Sequence, residues 1–350
     1  MMLFLKHLSS IQVYDWSEGQ SAPVLTFSCT VANTSPMLKS ERNLFSRVSL
    51  TFHEAAAALG NAHEDDEDGD ARPQGRGVAP SAASLARLKQ GSSSSFRLEL
   101  TSTDYARGPG SSQTRLFVVA QVAAGGEASE LALELSKHLS APLVPWGAVA
   151  ADITAEAGDG SRSLIAPGQA FCFLPLPAMT GLPVQINGFF ELSSNRRDIW
   201  HGSDLAGAGA QRARWNILLL EQAVAPAYAL LLEAAASALG PGKEFDRLWP
   251  QSDVNAPWQF LVPPLYRLIA DRPVAWTHAA PGRWLPPTHC LLPDAHCLAV
   301  EQEPPGGGGQ TLVRALVNAG LPLLGLDTAI SAMMSRHMVS PGKVQMPTHQ

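Results

Sequence analysis

Apolar and polar residues alternate in several short segments of the first half of the chain, and this two-residue period predicts β-strands. Ile11 and Val13 alternate in IQVYDW, near the start of the sequence. FRLELTSTDY and TRLFVVAQV show the same pattern on either side of a Gly-Pro-Gly-Ser loop at Gly108 to Ser111. We expect these two segments to form a β-hairpin.

Apolar runs, prolines and a pair of arginines lie close together in FCFLPLPAMTGLPVQINGFFELSSNRRDIW, residues 171–200. Its start, Ala170 to Leu174, predicts a buried strand, and Val184 to Leu192 predict a partner for that strand. The intervening PLPAMTGLP predicts a corner, because proline fixes the φ angle and glycine relaxes it. Asn195, Arg196 and Arg197 follow the second strand, where loops on a rigid sheet commonly carry binding groups.

The second half of the chain has helical periodicity. Between Gln211 and Leu239, apolar residues recur at spacings of three and four, which predicts a long helix with an apolar stripe. Pro226 removes the hydrogen bond to Gln222, so we expect this helix to kink or to divide. Residues 46–60 fit either a strand or a short helix.

These patterns predict an α+β or α/β fold, with a mixed β-sheet with hairpins followed by a helical part. Residues 1–60 are assigned to the first domain as a strand and helix segment, and residues 96–205 to a mixed-sheet domain. Residues 206–330 are predicted to form a helical domain and residues 331–350 a loose tail. Residues 61–95 join an acidic run to four serines without periodicity, which predicts a disordered insertion.

Composition narrows the classes of function. The chain has 350 residues, 45% of them hydrophobic, enough for more than one core. The net charge is −6, and the run HEDDEDGD alone holds six acidic residues, so the remaining 25 equal the 25 basic residues in number. The sequence contains no cluster of lysine and arginine that would displace counterions from phosphates, so we expect no nucleic-acid partner.

The cysteines and the apolar segments bear on localisation. Four cysteines are too few and too scattered for a disulfide framework in a chain of this length, which fits a reducing compartment. The apolar start of the sequence is interrupted by Lys6 and His7, so it is shorter than the core of a signal peptide. No window reaches about 18 uninterrupted apolar residues, so we expect no membrane partner and a cytoplasmic protein.

The motif SSNRRDIW is the first candidate site. Two guanidinium groups after a strand end, with an asparagine that is able to turn the chain, would bind a phosphate or a carboxylate. In the structural alternative, Arg196 and Arg197 pair with Asp198, Asp204 or Glu191 and brace the loop. The spacing alone favours this alternative, because an arginine pair is a weak signal for a ligand.

The motif THCLLPDAHC is a second candidate, because it repeats a His-Cys pair at His289-Cys290 and His296-Cys297. Zinc prefers these ligand types and takes four of them in a tetrahedral site. Adjacent side chains point apart, however, and structural zinc ligands favour separations of two to four residues. We therefore expect no metal and keep these four residues as weak candidates.

Motifs that indicate catalysis or nucleotide binding do not occur in the sequence. There is no Gly-x-Ser-x-Gly, His-Glu-x-x-His or Gly-x-x-x-x-Gly-Lys-Ser/Thr motif, and PPGGGG lacks the strand and the lysine of a phosphate loop. We expect no catalytic site and no cofactor in this chain. Because triads cannot be read from sequence order, an independent hydrolase stays open as an alternative.

The central stretch and the segment RWNILLLEQAVAPAYALLL after it resemble the repeated supradomain of the sacsin family. FLKHLSSIQVYDW and LVPWGAVAADI before it, and GRWLPPTHCLLPDA and LVNAGLPLL after it, follow the order of that family. The central motif is long and ungapped, and therefore specific. The resemblance covers residues 1–55 loosely and residues 115–330 better, and residues 61–95 have no counterpart.

In that family the supradomain begins with an ATP-binding lobe like that of the ninety-kilodalton heat-shock chaperones, marked by a Glu-x-x-x-Asn helix and an Asp-x-Gly-x-Gly lid hinge. Neither that helix nor that hinge is found here, so the resemblance implies the region after that lobe, as a fragment, with ATP a ligand only if the lobe lies upstream. By analogy with these ATPases, Arg196 or Arg197 would contact the γ-phosphate. The sheet partners of the N-terminal strand are expected upstream or on another chain.

The resemblance therefore implies a non-catalytic middle module of a sacsin-like chaperone or co-chaperone. Its expected partners are client proteins and the heat-shock chaperone machinery. The alternative is a free-standing protein-protein interaction scaffold, in which the kinked helix after Arg212 offers an apolar groove to a peptide.

Overall fold

The structure of the chain is a computed structural model. It divides into two compact units, Met1–Leu231 and Leu232–Gln350, and the division lies inside a long helix. The residues that the structure describes are 2–5, 7–16, 22–61, 88–106, 111–136, 142–154, 168–202, 206–279, 281–293, 315–338 and 343–344.

The first unit is built on a sheet of eight strands in the order β1-β2-β3-β4-β5-β8-β6-β7. These strands are β1 (Ser10–Asp15), β2 (Val24–Val31), β3 (Ser92–Asp104), β4 (Ser112–Ala123), β5 (Trp146–Asp152), β6 (Gln169–Cys172), β7 (Leu174–Met179) and β8 (Gln185–Gly188). The pairings are antiparallel apart from that of β6 with β8, which is parallel. The mixed sheet, together with the helices below, confirms the predicted fold class.

Helices pack on this sheet and form much of the second unit. They are α1 (Pro36–Arg42), α2 (Leu44–Asn61), α3 (Gly126–Ser136), α4 (Ala208–Leu219), α5 (Ala225–Leu239), α6 (Lys243–Asp246), α7 (Val262–Ile269) and α8 (Thr328–His337), with further helical stretches at 88–90 and 315–318. The ambiguous residues 46–60 therefore lie in a helix, α2. Phe52 and Ala55 of α2 are fully buried, three residues apart on one face.

The predicted hairpin around residues 108–111 is present as β3 and β4, which pair from Ser92 with Ala123 to Thr103 with Ser112. The structure differs from the predicted disordered insertion at its C-terminal end, because residues 92–95 belong to β3. Ladder hydrogen bonds, which depend little on side-chain type, hold these serines in the sheet. Residues 62–87 lie outside the described residues.

The PLPAM part of the predicted corner is a strand. The chain reverses at Phe173, which has a φ of +61°, and β7 then pairs antiparallel with β6. Pro175 and Pro177 are tolerated there because β7 is the last strand of the sheet, and an edge strand can do without their missing N–H groups. The predicted partner strand is correct, since β8 pairs with β6.

The ring of Phe173 lies at the centre of an aromatic cluster. It stacks on Trp146 of β5 with a centroid distance of 5.8 Å and an interplanar angle of 2°. Its centroid lies 4.9 Å from that of Phe45 in α2 and 5.9 Å from that of Phe189 after β8. A left-handed backbone costs a bulky residue about 1–2 kcal/mol, and the buried ring contacts offset this strain.

The two edges of the sheet differ in character. At the β7 edge, prolines interrupt the row of backbone donors. At the β1 edge, the strand pairs with β2 on one side, although its partners were expected upstream or on another chain. Val13, Tyr14 and Trp16 there expose 47%, 50% and 71% of their surface.

The long predicted helix is interrupted next to Pro226, as expected. α4 continues into a π-helical turn, Leu220–Val224, which is followed by α5. Pro226 has no N–H to donate to Gln222, and a π turn accommodates such a gap in the hydrogen-bond ladder. The turn lies against β5, since a Cβ atom on Gly147 would come within 2.8 Å of the Val224 side chain.

The apolar stripe of this helix is buried, with Leu219, Val224 and Leu232 at 0% exposure. The scaffold alternative expected an open groove here, but the stripe already packs inside the chain. The whole segment Ala208–Leu239 is long and apolar enough to span a membrane by length and composition alone. Most of its apolar window is buried, and the core helix of a soluble protein passes the same test.

The second unit contains two short β-pairings besides α6, α7 and α8. These are the antiparallel strands β9 (Ala275–Thr277) and β10 (Arg283–Leu285), and the parallel pair β11 (Leu292–Pro293) and β12 (Lys343–Val344). Aromatic rings fill its core, where Phe245 contacts both Trp249 and Trp284, and Trp284 contacts Trp276.

The predicted loose tail, residues 331–350, differs from the structure in its first part. Residues 331–337 belong to α8, where the side chain of Asp327 accepts a hydrogen bond from the Ala329 N–H at 2.8 Å. Ile330, Met333 and Met334 of α8 are buried. Their helical spacing packs one face of α8 into the unit.

We expect the substitution Asp246→Asn to stabilise the protein at neutral pH. Burial, together with the nearby Asp327, raises the pKa of the Asp246 carboxyl from 3.8 to about 6. The folded state therefore holds this proton more tightly, so the contribution to stability is fully present below pH 3.8 and is lost as the pH rises through about 6.

Thermal melts between pH 4 and pH 8 measure this effect. The substitution is expected to add about 1 kcal/mol at pH 8, after allowance for solvent screening of a half-buried group, and little at pH 4. Asp15→Asn, at the exposed β1 edge, serves as the control for the loss of one surface carboxylate. An equal gain at both pH values would contradict the assignment.

Candidate functional site: the arginine hairpin

The segment Glu191–Trp200, called the arginine hairpin here, follows β8 as a short antiparallel turn. Leu192 and Ile199 face each other in a β-bridge. The Ser193 N–H donates to the Asp198 carbonyl at 2.8 Å, and the Trp200 N–H donates to the Glu191 carbonyl at 3.0 Å. The sequence predicts that Asn195, Arg196 and Arg197 follow a strand end. In the structure they lie in this hydrogen-bonded hairpin after β8.

The tip of the arginine hairpin is closed by its own polar groups. The Arg196 N–H donates to the Ser193 carbonyl at 2.8 Å, and Arg196 has a left-handed φ of +54°. The Asn195 side-chain oxygen accepts the Arg197 N–H at 3.0 Å and the Ser193 hydroxyl at 2.8 Å. Asn195 therefore turns the chain as predicted. These two N–H groups are used within the turn, so an anion would meet the arginine side chains.

Arg196 and Arg197 are exposed, and neither guanidinium lies within ion-pair distance of a carboxylate among the described residues. The proposed brace partners are engaged elsewhere, since Asp198 lies 3.6 Å from His201 and Glu191 lies 3.4 Å from Arg212. Asp204 lies outside the described residues. The role of the two arginines in binding an anion stays a prediction.

The base of the arginine hairpin is fixed by α4. Asn216 is fully buried, and its amide donates to the carbonyls of Glu191 at 2.8 Å and Trp200 at 2.9 Å. Its oxygen accepts the Glu191 N–H at 2.8 Å. The indole of Trp215 donates to the Phe189 carbonyl at 2.9 Å. One asparagine therefore holds both arms of the hairpin, and the tip projects from a rigid base.

Two further side chains set the electrostatics around the tip. The guanidinium of Arg212 lies 5.8 Å from the Trp200 ring centroid, besides its ion pair with Glu191. Burial raises the pKa of the Cys172 thiol, while a hydrogen bond with the Phe190 backbone and the nearby Arg196 oppose that rise. Cys172 is therefore a protonated thiol at neutral pH, and the positive charge at the tip belongs to the two arginines.

Comparison with known proteins bears on part of the chain. Part of the chain is related to sacsin. A stretch of 116 residues, 33% of the chain, is 37% identical to human sacsin and spans 2% of that protein. No family model and no solved structure matches the chain. The sacsin resemblance is thereby supported for a region, and the part of the supradomain to which it corresponds stays a prediction.

The His-Cys candidates are placed only in part. His289 is exposed, whereas Cys290 is 3% exposed and directs its thiol at the Pro286 carbonyl, 3.5 Å away. Burial raises the pKa of Cys290 to about 11, which disfavours the thiolate that zinc binds. His296 and Cys297 lie outside the described residues. Among the residues described, no group of three potential ligands comes together.

Sequence reasoning missed Asn216, which organises the site. The periodicity between Gln211 and Leu239 predicts an apolar stripe, and Trp215 and Asn216 lie within that range. A signal was present, because an asparagine inside a buried helical run must satisfy its amide with partners. Those partners are backbone groups 16 and 25 residues away in sequence, which the helix pattern does not identify.

We expect the double substitution Arg196→Ala plus Arg197→Ala to leave stability nearly unchanged. Exposed side chains without ion pairs usually contribute within about 0.5 kcal/mol. Chemical unfolding measures the difference from the natural chain, and Arg97→Ala, at another exposed arginine, is the matched control. A loss of several kcal/mol would identify the pair as a structural brace.

We expect Asn216→Ala to destabilise the protein by about 2 kcal/mol or more. The substitution removes three hydrogen bonds and leaves the part-buried Glu191 N–H and Trp200 carbonyl without their partner, whereas the Glu191 carbonyl keeps its bond to the Trp200 N–H. Asn33 is the control, since it also bonds backbone groups, the Arg97 carbonyl and the Glu99 N–H, but lies partly in water. Asn33→Ala should cost about 1 kcal/mol.

Hydrogen exchange localises the effect of Asn216→Ala. The amides of Ser193 and Trp200, which close the arginine hairpin, should exchange faster in this variant, while those of β3 and β4 keep their protection. Unchanged exchange in the hairpin would show that Asn216 does not hold it.

Proposed function

We propose that the chain is a non-catalytic middle module of a sacsin-like chaperone, and that the arginine hairpin presents Arg196 and Arg197 to an anionic group of a bound partner. The observation that carries this proposal is the combination of a base clamped by buried Asn216 with two exposed guanidiniums that lack described carboxylate partners. Such a pair suits a phosphate, because each guanidinium offers several donors in a fixed plane.

Phosphate is the anion that the sacsin resemblance favours. In that family an ATP-binding lobe precedes this region, and the analogous contact of a following lobe is with the γ-phosphate. A rigid support matters for such a contact, because a guanidinium that is already positioned loses less conformational entropy on binding. In this proposal client proteins and the heat-shock chaperone machinery are the partners, in the cytoplasm.

The interaction-scaffold alternative receives less support. It relied on an apolar groove beside the kinked helix, and that stripe is buried. The independent hydrolase also lacks a favouring observation among the described residues around the arginine hairpin. The thiol of Cys172, which interacts with Arg196, is held protonated by burial and so is a poor nucleophile.

Binding of inorganic tripolyphosphate to the purified chain tests the proposal. We expect weak, saturable binding by calorimetry that falls about tenfold or more in the Arg196→Ala plus Arg197→Ala variant, since a bond to a charged group contributes about 1.5–3 kcal/mol. Arg97→Ala should bind like the natural chain. Equal affinity in all three proteins would remove the arginine hairpin as the anion site.

Turnover of ATP by the same preparations distinguishes the module from a hydrolase. We expect no hydrolysis above background in the natural chain, in the double variant or in the control. Hydrolysis that disappears on Arg197→Ala would replace the proposal with an enzyme.

A further inference from the structure

A small cavity in the first unit lies between the N-terminal residues, α1, α2 and the sheet. Its volume is about 20 Å³, and its lining includes Phe4, Arg42, Phe45, Gln121 and Phe173. A cavity needs about 10–15 Å³ to hold one water molecule, so this one accommodates a single atom-sized guest. The lining is apolar and aromatic apart from Arg42 and Gln121, and these two groups decide which guest fits.

Arg42 is the last residue of α1 and is only 9% exposed. Its Nη2 donates to the carbonyls of Leu5 at 2.8 Å and Leu8 at 3.5 Å. Its Nε and Nη1 make no hydrogen bond to the described residues, and no carboxylate of the described part lies within ion-pair distance. The guanidinium is therefore a buried positive charge with donors to spare.

The charge of Arg42 persists despite burial. Burial lowers its pKa, and no carboxylate among the described residues opposes that effect. An arginine nevertheless stays protonated in proteins. Two carbonyl oxygens and the C-terminal end of the short helix α1 offset part of the charge. A buried ion without an ionic partner is costly, which favours a negative guest over a neutral one.

Gln121 does not supply another interaction for a guest. Its amide nitrogen donates to the Glu41 carbonyl and to the Ser94 hydroxyl, and its oxygen accepts the indole N–H of Trp146 at 3.1 Å. The amide is thus fixed by α1, β3 and β5. The unused donors at the cavity belong to Arg42.

We propose that this cavity binds one small anion, such as chloride, against the guanidinium of Arg42. The volume admits a monoatomic ion more readily than a phosphate or a sulfate, which carry four oxygens. A water molecule would fill the same space but would leave the charge uncompensated. The bound ion would tie the N-terminal residues to α1 beneath the aromatic cluster, so anion binding and packing of the N-terminal segment are coupled.

Thermal unfolding at constant ionic strength tests this site, with gluconate replaced stepwise by chloride. Because a ligand of the folded state stabilises it by mass action, we expect the Tm to rise by about 2–4 °C and to level off at high chloride. Formate separates a halide from a carboxylate as the source of the charge. The cavity size predicts a smaller rise with formate than with chloride, and the reverse order would overturn the halide assignment.

Arg42→Met should abolish the rise, whereas Arg97→Met, at an exposed arginine, should retain it. If Arg42→Met does not fold, broadening of the ³⁵Cl resonance by the natural chain decides, since a bound ion relaxes faster than a free one. A Tm that is equal in chloride and gluconate, or the absence of such broadening, would leave the cavity to water and overturn the proposal.

Discussion

The hydrogen bonds from Asn216 to Glu191 and Trp200 are the interaction on which the arrangement of the first unit depends. The chain after β8 leaves the sheet, so its backbone groups lose their ladder partners. Asn216 and Trp215 supply new ones from α4, inside an otherwise apolar surface. A helix that packed through leucines alone would bury these backbone groups unsatisfied, at about 1–3 kcal/mol each. The hydrogen-bonding side chains within the apolar stripe, Trp215 and Asn216, therefore fix the position of the arginine hairpin.

The aromatic cluster around Phe173 stabilises the chain reversal between β6 and β7. Phe173 reverses the chain between β6 and β7 in a backbone conformation that glycine adopts with less strain. A glycine there would remove the ring contacts of Phe173 with Phe45, Trp146 and Phe189. The ring contacts of Phe173 therefore compensate for its local backbone strain. Strained residues generally persist only where their surroundings fix them.

Several elements followed from local patterns in the sequence. The β3-β4 hairpin and the interruption at Pro226 could be predicted, because alternation and a missing N–H act within a few residues. β7 could not, since prolines normally argue against a strand and are accepted only when sheet order places that strand at an edge. The serines of β3 follow the same logic, because their pairing with β4 outweighs weak side-chain propensity.

The candidate site could likewise be predicted from the sequence only in part. The position of Asn195, Arg196 and Arg197 after a strand end was readable from residue order, and so was the turn-forming role of Asn195. The partners of Glu191 and of Arg42 were not, because they depend on which helix packs on which strand. Charge balance over the whole chain also gave no hint that one arginine would be buried without a carboxylate among the described residues.

The two edges of the sheet differ in how readily they would pair with a further strand. A strand approaching β7 meets two prolines that cannot donate, whereas β1 at the other edge contains no proline and lies beside the exposed side chains of Tyr14 and Trp16. An edge strand such as β1 can pair with other extended chains, and natural proteins usually prevent this with charges or bulges. β1 has one irregularity, at Val13 and Tyr14, and a single charge, Asp15. We therefore expect self-association of this chain to begin at the β1 edge. A partner that covers β1 would prevent it.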